Sequence, residues 1–376
     1  MESKSLMKAA VLTVMLVIGS IVYLEMYWRG RGFMPTYNDD KVLWSTTRKE
    51  IYKPADEATV FIGGSRIKFD LDVPTWENLT GEKAIQLAIV GTPGRLVLRD
   101  LANDENFKGK VIIDVAEGQF FSLPDSAQRD RLAREALEYY YDETPAQKAS
   151  ADINYFLEST LVLFEEGKYS LTSLLNDLKI TNRPGVNVSP STFTPKEFGV
   201  VDFTRQTWIT PMFLANPGLQ EKQKDFWTRG IKRASPIKGD TLNTLLEQTK
   251  KAIDKIRARG GTVVFVRPPS DGPYIEMENR LYPRQKYWDY LLEYTNTPGI
   301  HYADYPGTAN LTCAEWSHLT RQGAATYTTQ LVKILQEEKG WTFPKKSFNN
   351  TAHKPIKPKF LWSLIRTLSS RFSYLY

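Results

Sequence analysis

Five short apolar segments recur along this chain, and between them the apolar residues switch to helical spacing. The segments are Thr59–Ile62, 84–91 (AIQLAIVG), 109–118 (GKVIIDVAEG), 260–269 (GGTVVFVRPP) and 299–304 (GIHYAD). Each is short, rich in β-branched residues and apolar on successive positions, the pattern of a strand buried on both faces. Helical spacing runs over Leu96–Ala102, Leu242–Arg259 and Thr320–Lys339. Gly260-Gly261 stops the second of these helices, and Thr320 is placed to cap the third. Strands alternating with helices predict an α/β fold, a parallel sheet covered by helices on both faces. Residues 122–240 break the rhythm: 125–143 and 150–167 read as helices, and 181–217, rich in Pro, Thr and Asn, as loop. We therefore expect an α/β domain over 57–340 carrying a mostly helical insertion at 122–240.

The N-terminus imposes a second constraint. Residues 9–24 (AAVLTVMLVIGSIVYL) carry no charge, with Lys4 and Lys8 before them and Tyr27, Trp28 and Arg29 after. A helix from Lys8 to Trp28 would rise about 30 Å, the thickness of a bilayer's hydrocarbon core. Tyr27 and Trp28 fall where an interfacial aromatic belt belongs. A core helix fits poorly at the start of the chain. A cleaved signal peptide, cut after Gly19, does not need the apolar run that continues to Leu24. The expectation is a short tail (1–8), a single-pass anchor (9–28) and a polar connector (29–56). The flanking charges are nearly balanced, and the topology expected for such an anchor is N-terminus inside, main domain extracytoplasmic.

Charge excludes a nucleic-acid-binding body. The formal net charge is +6, but the last 36 residues hold seven Lys or Arg and no acid. The body is therefore close to neutral, so no nucleic-acid partner is expected. The tail, 341–376, is basic and amphipathic, with Leu361, Leu364, Ile365 and Leu368 at helical spacing. It reads as a membrane or membrane-protein contact. One cysteine, Cys313, and three histidines make neither an intrachain disulfide nor a multi-histidine metal site, and no metal or cofactor is expected.

In a parallel sheet, ligands sit beyond the carboxyl ends of the strands. The first strand ends in Gly63-Gly64-Ser65-Arg66, which puts the Ser65 hydroxyl there. A serine needs a base to become a nucleophile. His318 lies just before the last helix, in CAEWSHLTRQGAA, with Glu315 three residues earlier. That offset lets the carboxylate hold one imidazole nitrogen while the other faces the serine.

Together these motifs resemble the SGNH/GDSL hydrolase superfamily. The first block, Gly63-Gly64-Ser65-Arg66, is similar to that family's nucleophile block. Glu315-Trp316-Ser317-His318 and the HLTRQGAA that follows are similar to its last block and the turn into the final helix. The resemblance implies a flavodoxin-like sheet and a triad of Ser65, His318 and Glu315. It also implies an oxyanion site formed by the backbone N–H groups of Ser65 and Gly91. The first block has Gly where the family has Asp, the last-block acid is Glu rather than Asp, and the family's third-block Gly-x-Asn-Asp is missing. Glu117 and Gln119 occupy that third-block neighbourhood, and with Arg66 and Arg267 they are candidate substrate-binding residues, a surface salt bridge being the other reading of each arginine. With the anchor, the resemblance is to the membrane-tethered subgroup of polysaccharide O-acetylation and D-alanyl transfer proteins. It implies transfer of an acyl group, acetyl among the candidates, to a glycan or other envelope polymer. A membrane acyl-carrier or acyltransferase protein would be the partner. An esterase would use the same triad, and a tethered scaffold without chemistry is the reading from another class.

Overall fold

The structure, a computed structural model, describes residues 2–54, 57–123, 129–164, 195 and 197–344. Its strands are β1 (Ala58–Ile62), β2 (Lys83–Gln86), β3 (Lys110–Asp114), β4 (Gly199–Val201), β5 (Thr207–Ile209), β6 (Thr262–Arg267) and β7 (Gly299–His301). Five of them form one sheet in the order β2-β1-β3-β6-β7, every neighbouring pair parallel. Beyond the end of β2 the pairing continues, with Leu87 N–H donating to Phe61 O and Ile89 N–H to Gly63 O.

The sheet is buried on both faces, as its unbroken apolar strands require. Val60, Ile62, Val111, Ile113, Val263 and Phe265 face one core. Phe61, Ile112, Val264, Val266 and Ile300 face the other. Each such side chain, fully withdrawn from water, contributes about 1.5–3 kcal/mol. On the first face lie α5 (Arg95–Asn103), α7 (Arg131–Asp142), α11 (Gly239–Ala258) and α13 (Trp288–Thr295). On the second lie α3 (Ser65–Asp70), α4 (Val73–Thr80) and α15 (Arg321–Glu337). Thr320 caps α15 by accepting from Gly323 N–H at 3.1 Å.

Two regions differ from expectation. The segment 29–56 is more than a connector, because residues Lys41–Arg48 form α2. Asp40 caps it, and Leu43 and Trp44 are buried. Trp44 donates its indole N–H to Leu87 O at 3.0 Å, and buried Arg48 pairs with Asp100 and Asp104. Just upstream, Asp39 pairs with the buried Lys68 and with Arg205. In the insertion, α7, α8 (Pro145–Thr160), α9 (Pro211–Leu214) and α10 (Pro217–Lys232) are helical. However, the stretch expected as loop also contains β4 and β5, an antiparallel pair. Short helices α6 (Glu117–Phe120), α12 (Gly272–Leu281) and α14 (Pro306–Ala309) fill the remaining loops of the sheet.

At the N-terminus, α1 (Glu2–Gly30) contains the 27-residue stretch Lys4–Gly30, whose most apolar 18 residues have a mean hydropathy of 2.1. Among the described residues it is the one helix long and apolar enough to cross a membrane. The amphipathic tail over 345–376, the end of the segment 150–167 and residues 181–194 and 196 of the loop 181–217 lie outside the described residues.

Candidate functional site

A tight loop presents the histidine. Cys313 and Leu319 pair in an antiparallel bridge and close the segment between them. Within it Trp316 takes a left-handed conformation (φ 76°), and its carbonyl accepts from Asp271 N–H at 2.9 Å. A bulky residue at positive φ is strained, and here the bonds on either side hold it. Leu319 N–H donates to Asp70 Oδ1 at 2.9 Å, which ties the loop to the end of α3. The loop is thus fixed from two elements at the carboxyl edge of the sheet.

Glu315 and His318 meet in this loop. Glu315 Oε1 accepts from the His318 backbone N–H at 2.7 Å and lies 2.9 Å from Nδ1. A carboxylate can only accept, so Nδ1 carries the proton and Nε2 presents its lone pair. Nε2 is buried and has no hydrogen-bond partner. The other carboxylate oxygen accepts from the indole N–H of Trp227 on α10. The imidazole sits in an aromatic box, its centroid 4.4 Å from Phe69, 5.6 Å from Trp227 and 5.8 Å from Phe198. Trp227 and Phe198 both come from the insertion. They leave His318 1% exposed and Glu315 not at all.

Ser65 opens α3 on the same edge, one turn before Phe69, and is 7% exposed. Its two preceding glycines are required by close packing. Gly63 has φ +144°, and a Cβ there would stand 2.3 Å from Asp114 Cβ. At Gly64 a Cβ would stand 2.2 Å from Gln119 Oε1. No larger residue fits at Gly63, and one at Gly64 would displace the Gln119 amide, so the glycines let strand β1, the end of β3 and α6 come together beneath the serine. The Gly64 N–H donates to Asp114 Oδ2 at 3.1 Å.

Burial pushes the Asp114 carboxyl up, Arg66 and the Gly64 and Ile67 N–H groups pull it back, and the balance leaves it at about 6. The folded chain therefore keeps this proton up to about pH 6, whereas the unfolded chain loses it near 3.8. Between these values the folded state binds more protons, so stability falls as pH rises through the window. Asp114→Asn is expected to flatten that slope, a change of about 1–3 kcal/mol across the window. Urea melts at a series of pH values check it, and an unchanged slope would assign the titration to another group.

The remaining candidates divide. Arg66 and Arg267 are not at the surface; each is at most 2% exposed, and both are consumed in one ion network. Arg267 Nε pairs with Glu117 Oε1 at 2.9 Å and its Nη2 with Glu278 Oε2 at 2.7 Å. Arg66 Nη2 pairs with Glu278 Oε1 at 2.5 Å, and its Nη1 is 3.6 Å from Glu117 Oε2. Ser270 Oγ bonds Glu278, and the Arg66 guanidinium lies over the Tyr274 ring. Burial alone would push the Glu117 carboxyl up, but Arg267 and Arg66 hold it below its ordinary value. An ionised Glu117 cannot donate to an oxyanion. Gln119, by contrast, lies against Gly64, and its buried Oε1 has no partner. Turning the amide over would present its NH2 to Gly64 instead. Gly91 is exposed, with φ +79°, in a turn closed by Thr92 N–H donating to Ile89 O at 3.1 Å. That turn needs a left-handed residue at this position. Thr92 O lies beside Gly64, so the turn borders the serine.

Glu278, Trp227 and Asp114 are the site residues that sequence reasoning passed over. Asp114, an acid closing an apolar strand, carried a readable signal. Trp227 and Glu278 lie on amphipathic helices and carried none. Among the described residues no three His, Cys, Asp or Glu side chains gather as a metal site. No protein-family model matches the chain, and no curated protein matches it.

Proposed function

We propose that this chain is a membrane-anchored, extracytoplasmic SGNH-like acyltransferase that works through a Ser65 acyl-enzyme. The observation that carries the reading is the Glu315–His318 pair, which leaves a bare, buried lone pair on Nε2 at the sheet edge where Ser65 begins α3. The strand order, read along the sheet as second, first, third, fourth and fifth strands, is compatible with a flavodoxin-like sheet and supports the same reading.

The chemistry runs as follows. Ser65 Oγ attacks the acyl carbonyl carbon while its proton passes to His318 Nε2. Glu315 stabilises the imidazolium that forms, and Trp227 holds Glu315. The tetrahedral oxyanion is met by the backbone N–H groups of Ser65 and Gly91 and by the Gln119 amide, turned to present its NH2. Collapse breaks the bond to the leaving group, which takes the proton from His318. An acceptor hydroxyl on a glycan or envelope polymer then attacks the acyl-Ser65 ester, losing its proton to Nε2, and collapse breaks the ester bond as Nε2 returns that proton to Ser65 Oγ. A membrane protein that carries or delivers the acyl group is the partner this scheme needs. The aromatic box buries the imidazole away from bulk water.

The same burial favours one other reading, a tethered scaffold whose serine does no chemistry. A fluorophosphonate probe separates them. Full-length protein in detergent is expected to be modified at Ser65, located by peptide mass, and to release acyl groups faster when a glycan acceptor is added. No labelling at Ser65 would leave the scaffold. Labelling with release indifferent to acceptor would make the protein an esterase.

A further inference from the structure

We infer that the outward face of α8, with Phe164 beyond its end, lies in the lipid–water interface, so that the α/β domain rests on the bilayer beside its anchor. The inference rests on α1 crossing a membrane, and it is independent of the chemistry at Ser65.

Two observations carry it. The first is how α1 joins the domain. The uncharged run ends at Leu24, and the next residue, Glu25, is 8% exposed. Its carboxylate accepts from Val162 N–H at 3.0 Å and Leu163 N–H at 3.3 Å. One turn on, Arg29 pairs with Glu25 and donates to Thr160 O at 2.7 Å. A residue rises only about 1.5 Å along a helix. The chain at 160–164 is therefore held at the level where the apolar run stops, which is the hydrocarbon boundary.

The second observation is the pattern of α8, which leads straight into that clamp. Its inner side is Ala151, Tyr155 and Glu158. Tyr155 packs on Tyr37 and Phe203. Glu158 accepts from Asn38 N–H and its amide, both at 2.9 Å. At about 100° per residue, the opposite side of the helix is Ala149, Ile153, Phe156 and Thr160. Ile153 is 63% exposed, Phe156 47%, and Phe164 past the helix 44%. Lys148, Asp152, Asn154 and Ser159 flank this strip on its two sides. A helix whose inner side packs on protein and whose outer side is again apolar, between polar flanks, fits an interface better than water. The clamp to α1 makes that interface lipid.

The single, buried cysteine makes the test direct. In a Cys313→Ser background, Phe156→Cys and Phe164→Cys are spin-labelled in full-length protein and reconstituted in phosphatidylcholine–phosphatidylglycerol vesicles. Leu79→Cys, on α4, and Ile18→Cys, within α1, serve as references. Power saturation with oxygen and with a water-soluble nickel chelate reads depth. Labels at 156 and 164 are expected to be at least about threefold less accessible to nickel than 79, with oxygen accessibility rising toward that at 18. Nickel accessibility at 156 and 164 equal to that at 79 would overturn the inference while leaving the anchor intact. Low accessibility to both reagents would mean a protein contact, a second copy or another segment, and would also overturn it. A nickel-accessible label at 18 would remove the anchor and the inference together.

Discussion

Ser65→Ala is expected to abolish acyl transfer, a loss of at least about 10⁴-fold in kcat, while changing stability by no more than about 0.5 kcal/mol. Ser65 starts rather than spans α3, so losing its hydroxyl removes no backbone hydrogen bond of the helix. His318→Ala should be nearly as damaging, because triad members act as a unit and their losses do not add. Glu315→Gln keeps the shape but loses the charge that stabilises the imidazolium. A smaller loss of about 10²–10⁴-fold is expected. Trp227→Phe keeps the ring against His318 and deletes only the indole N–H to Glu315. It should lower kcat about 3- to 10-fold with KM unchanged, the signature of a residue that positions another. Activity and melting temperature measured on all four variants check the series. Full activity in Ser65→Ala would end the nucleophile assignment, whatever the fate of the others.

A second large effect is expected away from the chemistry, in the buried ion network. Glu278 serves both Arg66 and Arg267. Glu278→Ala would leave two guanidinium groups in a dry interior with Glu117 as their one remaining carboxylate in the network. Breaking a buried pair in this way costs about 3–5 kcal/mol, and the melting temperature should fall by roughly 10 °C. Replacing all four charged residues together with apolar side chains of similar size should cost far less, because no charge is stranded. Calorimetry on the single and quadruple variants makes the comparison. Equal losses would mean the network acts through shape, not charge. Acid provides a further check. Glu117 is held below its ordinary value of 4.5, so its contribution is complete above that value and is lost as pH falls through the lowered one. Asp114 works in the opposite direction and at higher pH.

The arginines behind Ser65 and β6 allow two readings in sequence, a substrate contact and a salt bridge, and in the fold both are ion-paired. Arg66 directly follows a candidate nucleophile, and Arg267 ends a strand at the same edge. Either could have held an anionic substrate. Their partner, Glu278, is 212 residues from Arg66 and sits on α12 as an ordinary acid among polar neighbours. Glu117 was visible at the end of the third strand segment, but its ionised state depends on two arginines brought there by other elements. The connector shows the same limit: Trp44 reads as one aromatic in a polar stretch, and its burial depends on Leu87 being placed beside it by the sheet.

What the amino-acid sequence determined by itself is whatever forms between residues a few positions apart. The five strands follow from unbroken β-branched runs, because such runs bury both faces only inside a covered parallel sheet. The cap of α15 by Thr320, the apolar length of α1 and the Glu315–His318 contact are likewise local, the last spanning three residues. The two glycines before Ser65 were legible as a place where the chain turns. What surrounds these pieces depends on the three-dimensional fold. It brought Trp227 across 88 residues to Glu315, set Asp114 and Gln119 against the glycines, and closed Arg66 and Arg267 into a network. The physical reason is that local bonds follow from backbone propensity and spacing, whereas a distant partner is selected by topology. No periodicity in the chain records which helix will fold back over which loop.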